Sequence, residues 1–282
     1  MTTTAAQSVA PAGELTEEIV RAARERYATG RTGRRAEQVL SLWGLGAAGV
    51  LVACAVLAHG GPAFSPWWAA FFVLLYAAAS HVEFEVGTGS AIPIELVLVP
   101  MLFSMPLWFV PLGVTLAFLL RTVAIRPFPL RAAGSVLRHV PLALHAAGPV
   151  AVLSALGGLP FRWHAWPIYL LALVAQFGFD FANTVVHGRA TGVPIGSLVR
   201  FAGVAYAVDA ALAPVGLLVA STGKPELLLA IVPLAALLRY FSTERRRRID
   251  NALELSDAYR GTAFLLGDVV EADDAYTGSH SR

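Results

Sequence analysis

The chain contains few charged residues. Asp, Glu, Lys and Arg make up 14% of its 282 residues, whereas hydrophobic residues make up 56%. A soluble domain has about a quarter of its residues charged, so this composition excludes a globule covered by polar side chains. The formal net charge of +2 is too small to indicate a nucleic-acid partner. The composition instead predicts a protein whose partner is the lipid bilayer.

Cysteine and the common catalytic motifs are also scarce. Cys54 is the one cysteine of the sequence and lies in an apolar run, which excludes a disulfide framework and favours a packed thiol. The sequence has no glycine-rich phosphate loop, no G-x-S-x-G elbow and no H-E-x-x-H pair. Zinc-type spacing of Cys and His is missing too. We therefore predict that the chain as it stands is not an enzyme and holds no cofactor.

What the sequence does contain is a series of long apolar segments. A helix needs about 20 apolar residues, and at least roughly 17, to cross a bilayer. The pattern predicts an all-α, polytopic membrane helix bundle of about eight segments. One of the apolar stretches, 94–120, is too long for one span and carries three prolines. The stretches are 40–57, 67–80, 94–120, 140–156, 167–186, 201–220 and 227–241.

The arginines predict how the chain crosses the membrane. Cytoplasmic loops collect Lys and Arg, and the basic clusters lie in 21–35, 121–138, 189–200 and 239–248. An even number of spans must separate the first two clusters, so 94–120 should turn back as a hairpin near Ser104-Met105-Pro106. Its arms are short enough to be half-helices buried among neighbours. We expect a multi-pass protein of the cytoplasmic (inner) membrane with both termini cytoplasmic.

The chain divides into four predicted regions. These are a cytoplasmic tail (1–38), the polytopic membrane domain (39–241), a cytoplasmic linker or signalling helix (242–270) and the start of a further domain (271–282). In the linker, apolar or small residues recur at alternating spacings of three and four: Ala252, Leu255, Tyr259, Thr262, Leu266 and Val269. This stripe predicts either a homodimer contact through 249–270 or packing of the helix on its own next domain.

Polar residues inside the apolar segments form the candidate site. An ionisable group in hydrocarbon costs several kcal/mol, so such residues usually face a protein interior or a water-filled cavity. Three interpretations stay open. The residues could form hydrogen bonds that hold helices together, worth about 0.6 kcal/mol per bond. They could instead line a pocket for an unknown small-molecule ligand, or a path for an ion or a proton. Four of these residues share one helix face because they recur every three or four positions: Gln176, Asp180, Asn183 and His187. The six candidates are Glu95, Gln176, Asp180, Asn183, His187 and Asp209.

A short polar segment precedes the hairpin. Residues 81–86, H-V-E-F-E-V, alternate with period two, which predicts an extended segment that 87–90 then ends. Glu83 and Glu85 would share one face of it. No His or Cys stands beside them at ligand spacing, so a surface role is favoured over catalysis.

Two stretches resemble a known family. Residues 260–281, R-G-T-A-F-L-L-G-D-V-V-E-A-D-D-A-Y-T-G-S-H-S, resemble the opening of HD-GYP phosphohydrolase domains. Residues 82–103, V-E-F-E-V-G-T-G-S-A-I-P-I-E-L-V-L-V-P-M-L-F, resemble the N-terminal membrane regions of actinobacterial HD-domain and cyclic-dinucleotide signalling proteins. The residues that match the HD-GYP opening signature are Glu271, Asp274, Tyr276, Thr277, His280 and Ser281.

The resemblance implies an all-helical catalytic domain that binds two or three iron- or manganese-class metals and hydrolyses cyclic di-GMP. His280 matches the signature histidine and would be a metal ligand only together with the downstream HD domain. The His-Asp dyad and Gly-Tyr-Pro region of the family are absent here. We therefore expect a sensory or anchoring membrane module of a bacterial HD-GYP signalling phosphodiesterase, without its catalytic domain.

Two other functions compete with this expectation. The first is a small transporter or permease that uses the intramembrane acids to couple ions to a substrate. The second is a purely structural anchor for a partner protein. The transporter should move an ion or a substrate, whereas the anchor should neither bind a ligand nor move one.

Overall fold

The computed structural model describes residues 34–82, 84–86, 89–125, 133–157 and 159–280. Within these residues the fold is helical apart from one small β-hairpin. Four of the described helices are long and apolar enough to cross a membrane, and three shorter apolar helices accompany them. The membrane character predicted from composition therefore has a matching structure, whereas the number of about eight segments stays a prediction. The four long helices are Arg35–Leu57, Val136–Leu156, Trp163–Thr191 and Ile195–Thr222.

The elements begin and end at residues with matching backbone preferences. Proline occupies the first turn of the helices Pro66–Ala79 and Trp166–Thr191, where its missing N–H costs nothing. A glycine in the left-handed conformation, which closes a helix without strain, follows each of three helices: Ala147–Leu156, Trp166–Thr191 and Ile195–Thr222. The α-helices are α1 Arg34–Leu57, α2 Pro66–Ala79, α3 Glu95–Ser104, α4 Phe109–Ile125, α5 Ala133–His139, α6 Ala147–Leu156, α7 Trp166–Thr191, α8 Ile195–Thr222 and α9 Val232–His280. The 3₁₀ helices are Val140–Ala146, Trp163–Ala165 and Pro225–Ile231, and the strands are β1 Phe84–Val86 and β2 Gly89–Ala91.

The predicted break in 94–120 is confirmed. Helix α3 ends at Ser104 and α4 begins at Phe109, so the interruption contains Met105 and Pro106. At 1.5 Å per residue, the ten residues of α3 extend for about 15 Å, which is half of the hydrocarbon thickness. Most of its side chains are buried. Helix α3 is therefore a half-helix enclosed by its neighbours, as its length predicts.

The segment before α3 forms a β-hairpin. Strands β1 and β2 pair antiparallel, with Phe84 opposite Ala91 and Val86 opposite Gly89. An extended segment was predicted, but the expectation that 87–90 end it was wrong for Gly89 and Ser90, which lie in β2. The pairing satisfies backbone groups that an apolar surrounding would otherwise leave without partners. The described fold is thus all-helical in class, as predicted, with one small two-stranded sheet; residues 83, 87 and 88 lie outside the described residues.

Two glycines let helices approach closely around the middle of the bundle. A Cβ atom added at Gly148 of α6 would lie 2.7 Å from the backbone nitrogen of Gln176 in α7. A Cβ atom added at Gly216 of α8 would lie 2.9 Å from the backbone oxygen of Glu95 in α3. Small residues at membrane helix contacts permit this approach. The first contact joins α6 to α7, and the second joins α8 to the start of α3.

Three connections meet at one end of the bundle. The backbone N–H of Leu107 donates to the carbonyl of Gly60 over 3.1 Å, and the Phe64 ring lies 5.5 Å from that of Trp108. Near the end of α6, the Ser154 hydroxyl accepts from the backbone N–H of His59 over 2.9 Å. The chain after α1, the turn between α3 and α4 and the end of α6 therefore share one end. The predicted even number of crossings between these connections would require this arrangement.

Helix α9 is the longest element, with 49 residues. The chain divides into two compact parts, and the boundary falls within α9 between Arg239 and Tyr240, close to the predicted start of the linker at 242. Three members of the predicted apolar stripe, Leu255, Tyr259 and Leu266, are exposed. The stripe is thus free to contact either a second copy or a further domain, and both alternatives stay predictions.

Candidate functional site

Polar residues from three helices converge in the interior of the helical bundle. Asp209 lies halfway along α8, about 20 Å from either end at 1.5 Å per residue. Gln176 and Asp180 lie in the middle part of α7. Glu95 is the first residue of α3. The half-helix therefore begins deep inside the bundle, and its first side chain enters the site.

Glu95 and Gln176 form the core of this site. The Gln176 side-chain amide donates to Oε1 of Glu95. Gln176 is buried, and Glu95 is completely buried. The second carboxyl oxygen of Glu95, Oε2, is also buried but has no hydrogen-bond partner among the described residues. Burying a carboxyl oxygen without a hydrogen-bond partner lowers the stability of the fold, because the desolvation of that oxygen is not compensated.

Two further carboxyl groups lie nearby. Asp180 accepts a hydrogen bond of 2.9 Å from the hydroxyl of Tyr206 on α8. Asp209 and Asp180 both interact electrostatically with Glu95, and Asp209 is the stronger of the two. Both aspartates are half-buried. Ionised carboxylates repel each other more strongly in a medium of low polarity than in water.

The described surroundings do not balance this charge. None of the three carboxyl groups has an Arg, Lys or His partner at ion-pair distance in the part of the chain that the structure describes. The N-terminus of α3 stabilises a negative charge on Glu95 by about 2 kcal/mol at most. Burial of an ionised carboxylate costs several kcal/mol even after relaxation. The cost of burying an ionised Glu95 therefore exceeds the stabilisation that the N-terminus of α3 supplies.

A second buried polar contact lies beside the acids. The Tyr76 hydroxyl lies 2.6 Å from Nε2 of His145, and Nδ1 of His145 lies 2.7 Å from the carbonyl oxygen of Leu142. Because a carbonyl only accepts, we assign the ring hydrogen to Nδ1, which leaves Nε2 to accept from Tyr76. His145 lies in the 3₁₀ helix Val140–Ala146. Both histidine nitrogens are engaged, the ring is neutral in the tautomer assigned here, and it interacts electrostatically with Asp180.

The structure separates the six candidates of the sequence into two groups. Glu95, Gln176, Asp180 and Asp209 come together. Asn183 instead accepts a hydrogen bond of 3.0 Å from the indole N–H of Trp43 on α1, and His187 is exposed near the end of α7. The polar stripe of α7 thus runs from the interior to the surface, and only its inner part belongs to the site.

Sequence reasoning missed two tyrosines of the site. Tyr206 lies three residues before Asp209, and this spacing places both residues on one helix face. The spacing was therefore a signal for Tyr206. Tyr76 lies in a wholly apolar helix, where an aromatic residue is usually assigned to packing. A buried tyrosine hydroxyl needs a hydrogen-bond partner, and that requirement was the available signal.

No metal centre is visible in the described chain. Among those residues, no group of three or more His, Cys, Asp or Glu side chains is placed to hold a metal ion. The side chain of His280 lies outside the described residues, although its backbone continues α9. Glu83 is outside them too, and Glu85 is described only as part of β1. The conditional metal role of His280 stays a prediction.

No protein-family model, curated protein or solved structure matches this chain.

Proposed function

We propose that this chain is the membrane-embedded input module of a bacterial signalling protein with an HD-GYP phosphodiesterase as its output. Its buried acidic site would be the sensing site, and α9 would be the element that carries the change of state. The observation that carries the proposal is the continuity of α9. One helix of 49 residues includes the apolar segment after Val232, the arginines 245–248 and the residues up to His280 that resemble an HD-GYP opening.

A continuous helix can transmit a rotation or a shift because its hydrogen-bonded backbone does not bend freely at one residue. The exposed stripe on Leu255, Tyr259 and Leu266 would give the output a surface to dock on. We place the module in the cytoplasmic membrane with both termini cytoplasmic. An output domain would supply iron- or manganese-class metal sites, with His280 as one ligand.

The first test of this proposal is the size of the native protein. An immunoblot of source membranes with an antibody to residues 1–13 should show a band well above the 29.9 kDa of this chain. A band close to that mass would remove the phosphodiesterase from the proposal. Sensor, transporter and anchor would then compete on equal terms.

The second test concerns the helix itself. One residue inserted after Asn251 rotates everything beyond it by about 100°, whereas seven residues restore the phase to within about 20°. In the native protein, the single insertion should change cyclic di-GMP hydrolysis by membranes, and the seven-residue insertion should restore it. Equal activity of both variants would contradict transmission through a continuous helix.

A second function is favoured by a separate observation. Helix α3 begins at the acids in mid-bundle, and Pro100 and Pro214 lie inside α3 and α8. Interrupted helices beside buried acids occur in ion-coupled transporters. Proteoliposomes with purified protein should then show proton flux that the double variant Asp180→Asn and Asp209→Asn abolishes. An input module would show no flux in either protein.

A further inference from the structure

We propose that the acidic site binds one proton, held on the Glu95 carboxyl group by the negative groups around it. The proposal deepens the sensing site proposed above, because it names the ligand as the smallest cation. It does not depend on the phosphodiesterase output, since the proton is a property of the bundle.

The groups that face Glu95 supply no positive charge. From α8 comes Asp209, from α7 come Gln176 and Asp180, and from α2 comes Tyr76, which also interacts electrostatically with Glu95. Gln176 and Tyr76 are neutral hydrogen-bonding groups, and the other two are acids. Tyr206 donates to Asp180, and the ring of His145 is engaged by Tyr76 and Leu142. In the tautomer assigned to His145, none of these facing groups carries a positive charge.

The space at Glu95 decides which cation fits. Its Oε2 atom has an accessible area below 1 Å², and the whole side chain is 0% exposed. A water-sized ligand does not reach this atom. The described residues also contain no cluster of three acidic, His or Cys side chains suited to a metal ion. A proton needs neither a cavity nor several ligands, because it becomes part of the carboxyl group.

Proton binding gives the site two states with different contacts. With the proton on Oε2, Glu95 is neutral and stays buried between α7 and α8. Without it, an uncompensated carboxylate would remain inside an apolar bundle, which favours separation of the start of α3 from α8 and entry of water. The close contact of Glu95 with Gly216 is the place where this separation would begin. Proton uptake would therefore close the bundle and proton loss would open it.

Infrared spectroscopy of the purified chain in lipid nanodiscs tests the proposal. The carbonyl stretch of a protonated carboxylic acid is resolved from the bands of ionised carboxylates. At neutral pH the wild-type protein should show such a band, and it should exchange slowly in D₂O because the group is buried. Glu95→Gln should remove the band, and Asp209→Asn should shift or weaken it. The exposed acid Glu226 supplies the matched control, since Glu226→Gln should leave the band unchanged.

Three results would overturn the proposal. One is a wild-type spectrum without the band at neutral pH, and another is a band that both site variants leave unchanged. The third is a band that is absent in sodium buffer and present when choline replaces sodium, which would assign the positive charge to a sodium ion. If Glu95→Gln does not fold, the Asp209→Asn spectrum decides. The infrared result does not affect the outcome of the insertion test on α9. The proton proposal and the signalling proposal can therefore be rejected independently.

Discussion

Tyr76 and His145 are both buried, and the Tyr76 hydroxyl and Nε2 of His145 are hydrogen-bond partners of each other. The replacement Tyr76→Phe keeps the ring and its packing on Phe118 but removes the 2.6 Å contact. Nε2 of His145 would then be buried without a partner, which costs about 1–3 kcal/mol. We expect a lower melting temperature in detergent. Tyr240→Phe is the control, because Tyr240 is 65% exposed, and an equal loss in both variants would contradict the argument.

The contact between Glu95 and Gln176 allows a sharper test at the same scale. Gln176→Leu removes the donor and leaves a buried carboxyl group without a partner at either oxygen, so we expect a loss of at least about 1–3 kcal/mol. The double variant Glu95→Leu and Gln176→Leu replaces both partners by apolar groups and should be more stable than Gln176→Leu alone. Thermal unfolding of the four proteins of this cycle measures the coupling. Strictly additive losses would show that the two side chains act independently.

At this scale the sequence predicts which residues are unusual but not which of them meet. Acids and amides inside apolar segments are visible without a structure, because burial makes them costly. Their grouping depends on the rotation and depth of each helix. Those are set by packing at positions such as Gly148, where the sequence shows only a small residue. Asn183 and His187 shared the predicted face with Gln176, yet the helix carries them out of the site.

At the scale of elements, Gly216 controls how closely α8 approaches α3. In Gly216→Ala the added carbon would lie 2.8 Å from Cβ of Val99 and 2.9 Å from the backbone oxygen of Glu95. Backbone atoms cannot swing aside, so we expect a loss of about 1–3 kcal/mol. Gly203→Ala lies on the same helix with open space around it, and it should instead gain up to about 1 kcal/mol from helix propensity. Similar effects of both variants on thermal stability would contradict a close contact at Gly216.

The ends of helices were predictable where a proline or the distribution of arginines determines them. The break between α3 and α4 follows from proline at Pro106 and from the parity that the arginines impose. The start of α3 in mid-bundle was not predictable. It depends on the β-hairpin that precedes it, and Gly89 and Ser90 are weak strand formers whose pairing depends on their surroundings.

At the scale of the whole molecule, the contacts at one end of the bundle predict the sidedness of the loops. The chain after α1 contacts both the turn between α3 and α4 and the end of α6, so Ala63 and His164 should lie on the same side, which the arginine pattern predicts to be external. If 94–120 crossed the membrane once, these two residues would lie on opposite sides. The comparison therefore tests the hairpin directly.

The single cysteine makes this measurement simple. In a Cys54→Ala background, one new cysteine can be placed in turn at Ala63, His164 and Lys224 on the expected outer side, and at Ser197 and Asn251 on the inner side. All five positions are exposed. A membrane-impermeant maleimide should label the first three in intact cells and the last two only after permeabilisation. Labelling of Ala63→Cys but not His164→Cys in intact cells would show an odd number of crossings between them. In that case 94–120 would cross the membrane once, and α3 and α4 would not form a hairpin that returns to the cytoplasmic side.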